Sequence, residues 1–279
     1  MAKRIVLFLF FFLFLGNVNA QVQPKNRGKI EFKKDKLPRK LTRATFDSTH
    51  SFDVLHYRLN LMFPFSSSAF SGTITVTCRS CVDGLDKIQL DMVDLVADSV
   101  FLWKEKIDGV QKNGEITISL GKSMAIGDTF SVSIAYNKAS QEENSYRGFY
   151  YYSMCAYTMS EPEDARYWFP CFDKPWDKAT AELYVTVPRD VEVASIGLLE
   201  KKELSEDGKW ETFHWRTEYP VATYLICVTM SKFYSRWSDW YVSPTGDSLE
   251  IVYYVFTRDS VKAKNDFVHM VDAVSFFSD

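Results

Sequence analysis

The side chains with chemistry to offer are concentrated between residues 146 and 188. Met159, Glu161, Arg166, Cys171 and Asp173 stand close together there, punctuated by Pro162, Pro170 and Pro175. A carboxylate can pair with a cation, and an arginine can hold a carboxylate through two parallel hydrogen bonds. Arg166 and Asp173 are therefore candidates for an ion pair that fixes this segment. A thiol becomes a nucleophile when a histidine stands beside it, and Cys171 has none near in sequence. Phe169, Pro170, Cys171 and Phe172 read instead as anchors to a core, with the three prolines stiffening the loop. The aromatic run Phe149, Tyr150, Tyr151 and Tyr152, with Tyr157, reads as packing or as the rim of a pocket rather than as a cofactor box.

Other chemistries are excluded by pattern. There is no H-E-x-x-H, G-x-S-x-G, phosphate-binding loop or G-x-G-x-x-G. His50, His56, His214 and His269 show no metal-ligand pair spacing. Glu211 and His214 form E-x-x-H, but in an alternating strand they point to opposite faces, whereas a dimetal carboxylate site needs that pair on a helix. Cys78-Arg79-Ser80-Cys81 has redox spacing but closes a strand pattern instead of opening a helix. Cys155, Cys171 and Cys227 supply no second pair for zinc, so a local disulfide or two packed thiols is expected.

The elements that must position these residues are strands. From residue 52 the period is two: Leu55, Tyr57, Leu59, Leu61 and Phe63 alternate with polar neighbours. Ile74-Val76-Cys78, Ile88-Leu90-Met92, Ile116-Ile118-Leu120 and Phe130-Val132-Ile134 repeat the pattern, separated by turn pairs such as Asn113-Gly114. Alternation resumes beyond residue 182. This is the signature of an all-β, antiparallel β-sandwich. Only the end changes period. Val261, Phe267, Met270, Val271, Val274 and Phe277 fall at helical spacing, predicting one C-terminal helix capped by Asp259 or Ser260.

With 46% hydrophobic residues in 279, the chain can bury a core, and a formal charge of −3 argues against nucleic acid as its partner. Lys3 and Arg4 precede the apolar run 5–15 and the small-residue site ending at Ala20, which reads as a signal peptide over 1–20. That run is short of the roughly 20 residues a membrane span needs, and no second run of spanning length follows. Export, to the periplasm or the exterior, is expected after cleavage near Ala20. A basic linker over 21–50, a sandwich over 51–257 and a further segment over 258–279 complete the expected organisation.

One resemblance is specific. Glu161-Pro162, then Asp164-Ala165-Arg166, then Phe169-Pro170-Cys171-Phe172-Asp173-Lys174-Pro175 and Lys178-Ala179-Thr180 resemble a signature of the aminopeptidase N family of zinc metallopeptidases. Tyr219-Pro220-Val221-Ala222-Thr223-Tyr224-Leu225 is similar to the segment before the family's last sandwich strands. The resemblance implies an N-terminal sandwich domain packed against a thermolysin-like catalytic domain, which the helix over 258–279 would enter. It places H-E-x-x-H, G-A-M-E-N and the zinc in that other part of the parent enzyme, with no cofactor in this chain. The chain then reads as a non-catalytic fragment, inactive alone, whose partner is the amino end of a peptide substrate. Glu161 would bind the substrate's free α-amino group. Met159 stands where the family has Gln, which exchanges hydrogen bonding for apolar contact. The alternative is a stand-alone secreted binding module in which Trp237, Trp240 and Tyr241 stack on glycans.

Overall fold

The computed structural model describes residues 50–278. The expected signal peptide, and the linker apart from His50, lie outside the described residues. The first half contains β1 (Phe52–Met62), β2 (Phe70–Ser80), β3 (Leu85–Asp91), β4 (Val96–Leu102), β5 (Glu105–Ile107), β6 (Gly109–Lys112), β7 (Glu115–Met124) and β8 (Thr129–Lys138). The second half contains β9 (Gly148–Tyr151), β10 (Ala156–Met159), β11 (Lys178–Pro188), β12 (Glu192–Ser195), β13 (Leu198–Leu204), β14 (Trp210–Ala222), β15 (Val228–Ser231), β16 (Tyr234–Val242) and β17 (Ser248–Phe256). Helices α1 (Ser260–Asp266) and α2 (Met270–Ser278) follow.

An eight-stranded sheet runs β13-β14-β11-β1-β2-β8-β4-β5. Its alternating residues put Tyr57, Leu59, Leu61, Ile74, Val76, Val132 and Ile134 on one wholly buried face. A four-stranded sheet, β12-β15-β10-β9, and a three-stranded sheet, β3-β7-β6, complete the sandwich. Aromatic contacts join the layers: Phe63 stacks on Phe149 at 5.3 Å, and Tyr57 meets Phe169 edge-on at 5.7 Å.

Two details differ from the alternation expected of the sequence. The register of β1 against β2 shifts between Val54 and His56. Phe52 and Val54 therefore share the buried face with Tyr57, while Leu55 is only half-buried. A bulge inserts one residue and reverses the parity of everything before it. In addition, β1 and β11 pair in parallel, from His56↔Thr180 to Met62↔Thr186, within an otherwise antiparallel sheet. A parallel pair needs a long crossover, and β2–β10 with the loop over 160–177 supply it.

The C-terminal region holds two short helices instead of one. Phe267, Met270, Val271 and Val274 pack with Tyr241, Ile251 and Tyr253 of the β16–β17 hairpin, while Val261 and Phe277 are exposed. The turn between α1 and α2 moves those two residues out of the apolar stripe. Asp259 stands at the N-cap of α1 without a side-chain capping bond. All five cysteines are free thiols: Cys78 is buried in β2 and Cys81 lies beyond its end, with no disulfide between them.

Gly148 opens β9 with φ +71, and a Cβ there would sit 2.3 Å from the Asp164 carbonyl oxygen. Only glycine lets the strand pass this close to the loop. Gly148→Ala should therefore cost about 2–4 kcal/mol of stability. Urea denaturation of the two proteins checks this.

Candidate functional site

Glu161 stands in the turn just beyond β10. Within β10 Ala156 and Thr158 face inward, which sends Tyr157 and Met159 to the opposite side, and beyond the strand Ser160 is buried while Glu161 is exposed. The Thr158 hydroxyl accepts the Val228 N–H at 2.9 Å, and the Ser160 hydroxyl accepts the Trp168 indole N–H at 3.1 Å. These bonds hold the inward face. On the outward face Tyr157 lies between Tyr150, at 5.2 Å, and Tyr152, at 6.1 Å, with Tyr146 edge-on to both flanking rings. The strand ends at Met159, 46% exposed, and the chain then presents an exposed Glu161 before a cis peptide to Pro162. Cys227 lies within electrostatic reach: burial first, and the Glu161 carboxylate second, push its thiol up to about 12.

The loop beyond Glu161 is organised by Arg166. Its Nε is 3.0 Å from an Asp173 carboxylate oxygen, its Nη1 2.9 Å from Asp91 and its Nη2 3.1 Å from Glu163. Arg166 Nε also donates to the Glu163 carbonyl at 2.8 Å. Asp173 is fully buried, and its second oxygen accepts the Thr223 hydroxyl at 2.6 Å. Burial raises the Asp173 carboxyl against the pull of Thr223 and Arg166. Burial opposes the Arg166 charge, but Asp91 and Asp173 outweigh it and hold the guanidinium above its usual value. Asp91 binds the loop twice more: its backbone pairs with that of Cys171, and its carboxylate accepts the Asp173 N–H at 3.0 Å. A second clamp, Arg147 on Asp164, closes the near side of the loop.

Trp168, Phe169, Pro170 and Cys171 are buried, which seats the loop on the core. Pro162 is exposed and Pro175 half-buried, so these two prolines stiffen turns without filling the interior. Burial pushes the Cys171 thiol far up, leaving a packing group and no nucleophile. Asp91, Glu163 and Thr223 belong to the site although the spacing of residues did not announce them. Asp91 closes an ordinary alternating strand, and Thr223 stands in the segment 219–225 without a local cue. The aromatic platform suggested by Trp237, Trp240 and Tyr241 is not formed. Trp237 and Tyr241 share the face turned to the hairpin–helix core, Trp237 stacking on Tyr253, while Trp240 projects from the other face.

Among the described residues no three His, Cys, Asp or Glu side chains come together as a metal site. His56 and His214 do converge on Glu182, at 3.6 and 3.2 Å, but Arg58 occupies the same carboxylate at 3.2 Å. That group is an ion-pair cluster on the sheet surface. Around Glu182 the described residues offer a carboxylate already held by Arg58 and so do not fit a zinc ion.

The family model for the Peptidase M1 N-terminal domain matches residues 53–225. The chain belongs to the peptidase M1 family. Human glutamyl aminopeptidase is 40% identical over 76 residues, which are 27% of this chain and 8% of that protein. Leucine aminopeptidase 2 of Vanderwaltozyma polyspora is 24% identical over 201 residues, 68% of this chain and 30% of that protein. The crystal structure of an M1 zinc metallopeptidase from Deinococcus radiodurans aligns with a TM-score of 0.65 at 23% identity, covering 73% of this chain and 48% of the other. That likeness is one of fold. A related Deinococcus structure, bound to a Tyr-Ser-Ala substrate, aligns with a TM-score of 0.67. The M1 chain thus spans less than half the length of each of these relatives.

Removing one partner of a buried ion pair strands the other charges. Arg166→Met should destabilise this M1 domain by about 3–5 kcal/mol, and adding Asp173→Asn should recover part of the loss. A double-mutant cycle by denaturant unfolding measures both.

Proposed function

We infer that this domain serves as the substrate-end recognition part of a zinc metallo-aminopeptidase, with Glu161 receiving the free α-amino group of a peptide. The observation that carries the reading is the exposed Glu161 carboxylate, in the turn just beyond β10 at the start of a loop held by Arg166. An ammonium can reach such a carboxylate, and pairing with it measures off the end of the substrate. Met159, exposed at the end of β10 two residues before Glu161, offers apolar contact to the first side chain. The relatives named above as aminopeptidases and zinc metallopeptidases support the substrate class. Hydrolysis and the zinc belong to another part of the working enzyme, and residues 50–278 alone do not cleave peptides. The leader over 1–20 directs the protein out of the cytoplasm, to the periplasm or beyond.

The test uses the protein isolated from its own cells through an antibody against this domain. Zinc-dependent release of amino-terminal residues is expected. Glu161→Gln should raise KM for peptides with free amino ends roughly ten- to a hundredfold, the cost of losing one charge-assisted pair. Unchanged KM in that variant, or cleavage by residues 50–278 alone, would overturn the reading.

A further inference from the structure

Arg166 fastens the loop by its side chain, but the backbone just beyond it is held from another direction. Ala165–Tyr167 form a single turn whose first carbonyl, that of Ala165, accepts the Trp168 and Phe169 N–H groups. The carbonyls that follow are left without donors of their own, as at the end of any helical turn. Pro170, four residues after Arg166, has no N–H to offer. Each carbonyl finds a donor elsewhere in the fold. That of Arg166 accepts the Val93 N–H at 3.0 Å, that of Tyr167 the Lys138 ammonium at 3.0 Å, and that of Trp168 the Tyr136 hydroxyl at 3.1 Å. Tyr136 and Lys138 stand two apart on the buried face of β8, between β2 and β4 of the eight-stranded sheet.

Lys138 is the costly member of this set, being only 2% exposed. Burial pulls its ammonium from 10.5 down to about 8, against the opposing charge of Asp94. A methionine there would avoid the desolvation, so what a lysine adds is its hydrogen bond to the loop. That bond orients Trp168. A carbonyl taken by a fixed donor sets the rotation of its peptide plane, and the plane after Tyr167 carries the Trp168 N–H and Cα. The Trp168 ring is fully buried, edge-on to Phe169 at 4.5 Å, and its indole N–H donates to the Ser160 hydroxyl at 3.1 Å. Ser160 is buried too, its carbonyl accepts the Asp164 N–H at 2.9 Å, and Glu161 is the next residue.

We propose that Lys138 is a positioning residue for the Glu161 carboxylate, acting through the Tyr167 carbonyl and the Trp168–Ser160 hydrogen bond. The inference rests on the reading of Glu161 as the receiver of the substrate's α-amino group. Lys138 is enclosed by the core and acts only by fixing where the turn beyond β10 begins. A displaced carboxylate keeps its charge but meets the ammonium at a poorer distance, which weakens binding of the amino end.

The test measures KM and kcat, per folded molecule, for peptides with free amino ends, each variant being made in the protein's own cells and purified through the same antibody. Lys138→Met removes the donor to the loop and Ser160→Ala the acceptor of the indole. Each should raise KM about three- to tenfold, the loss of one hydrogen bond, with kcat unchanged. Neither should raise KM further in a Glu161→Gln background, because both act through that carboxylate. A role in stability alone would lower the folded fraction and leave KM where it was. Unchanged KM in either folded variant, a loss confined to kcat, or an equal rise in the Glu161→Gln background overturns the inference while the reading of Glu161 stands. Unchanged KM in Glu161→Gln itself overturns that reading and this inference together. Ser160→Ala deletes a single oxygen, so it decides the matter if Lys138→Met fails to fold.

Discussion

The architecture around Glu161 depends on one half-buried cation. The Arg166 guanidinium reaches Asp91 at the end of β3, Asp173 farther along its own loop and Glu163 one turn before it. Each contact joins a different part of the chain to the same planar group. A fork of fixed donors can do this, whereas a lysine's single ammonium cannot satisfy three partners in one plane. Because Asp173 is fully buried, the arrangement is held by the cost of leaving any member unpaired more than by the attraction itself. The loop therefore has one seat.

From that seat the outward face of β10 acquires its geometry. Thr158 and Ser160 are committed to hydrogen bonds with β15 and with Trp168, so the strand cannot slip by one residue and the turn that carries Glu161 starts from a fixed point. The stacked tyrosines brace the same face laterally. A charged group is thus exposed on a rigid support, which is the condition for recognising a ligand without first spending binding energy on ordering the protein.

Much of this was legible in the residue pattern. Alternation at Ile74-Val76-Cys78, Ile116-Ile118-Leu120 and Phe130-Val132-Ile134 leads to buried rows in β2, β7 and β8. Burial on one face of a strand is a local consequence of period two. The segment 161–175 stood out by its prolines, carboxylates and Arg166, which is why its family membership could be read before its shape. The Leu55 row and the terminal helix were not legible. A bulge and a helix break depend on what the neighbouring strand or hairpin offers, which no local pattern encodes. The glycan platform fails for a related reason: Trp237 and Trp240 are close in sequence but stand on opposite faces of one strand.

What the sequence by itself determined is the set of groups able to form bonds and the short segment that carries them, with Met159 and Glu161 two residues apart and Arg166 and Asp173 on one loop. The tertiary structure alone decided the distant partners. Asp91 and Thr223 are brought to Arg166 and Asp173 by strand order, by the parallel crossing of β1 and β11 and by the docking of the loop on the core. The physical reason is range. Alternation is set by neighbouring dihedrals, whereas an ion pair across the fold forms only after the chain between its partners has paid its loop-closure entropy and packed.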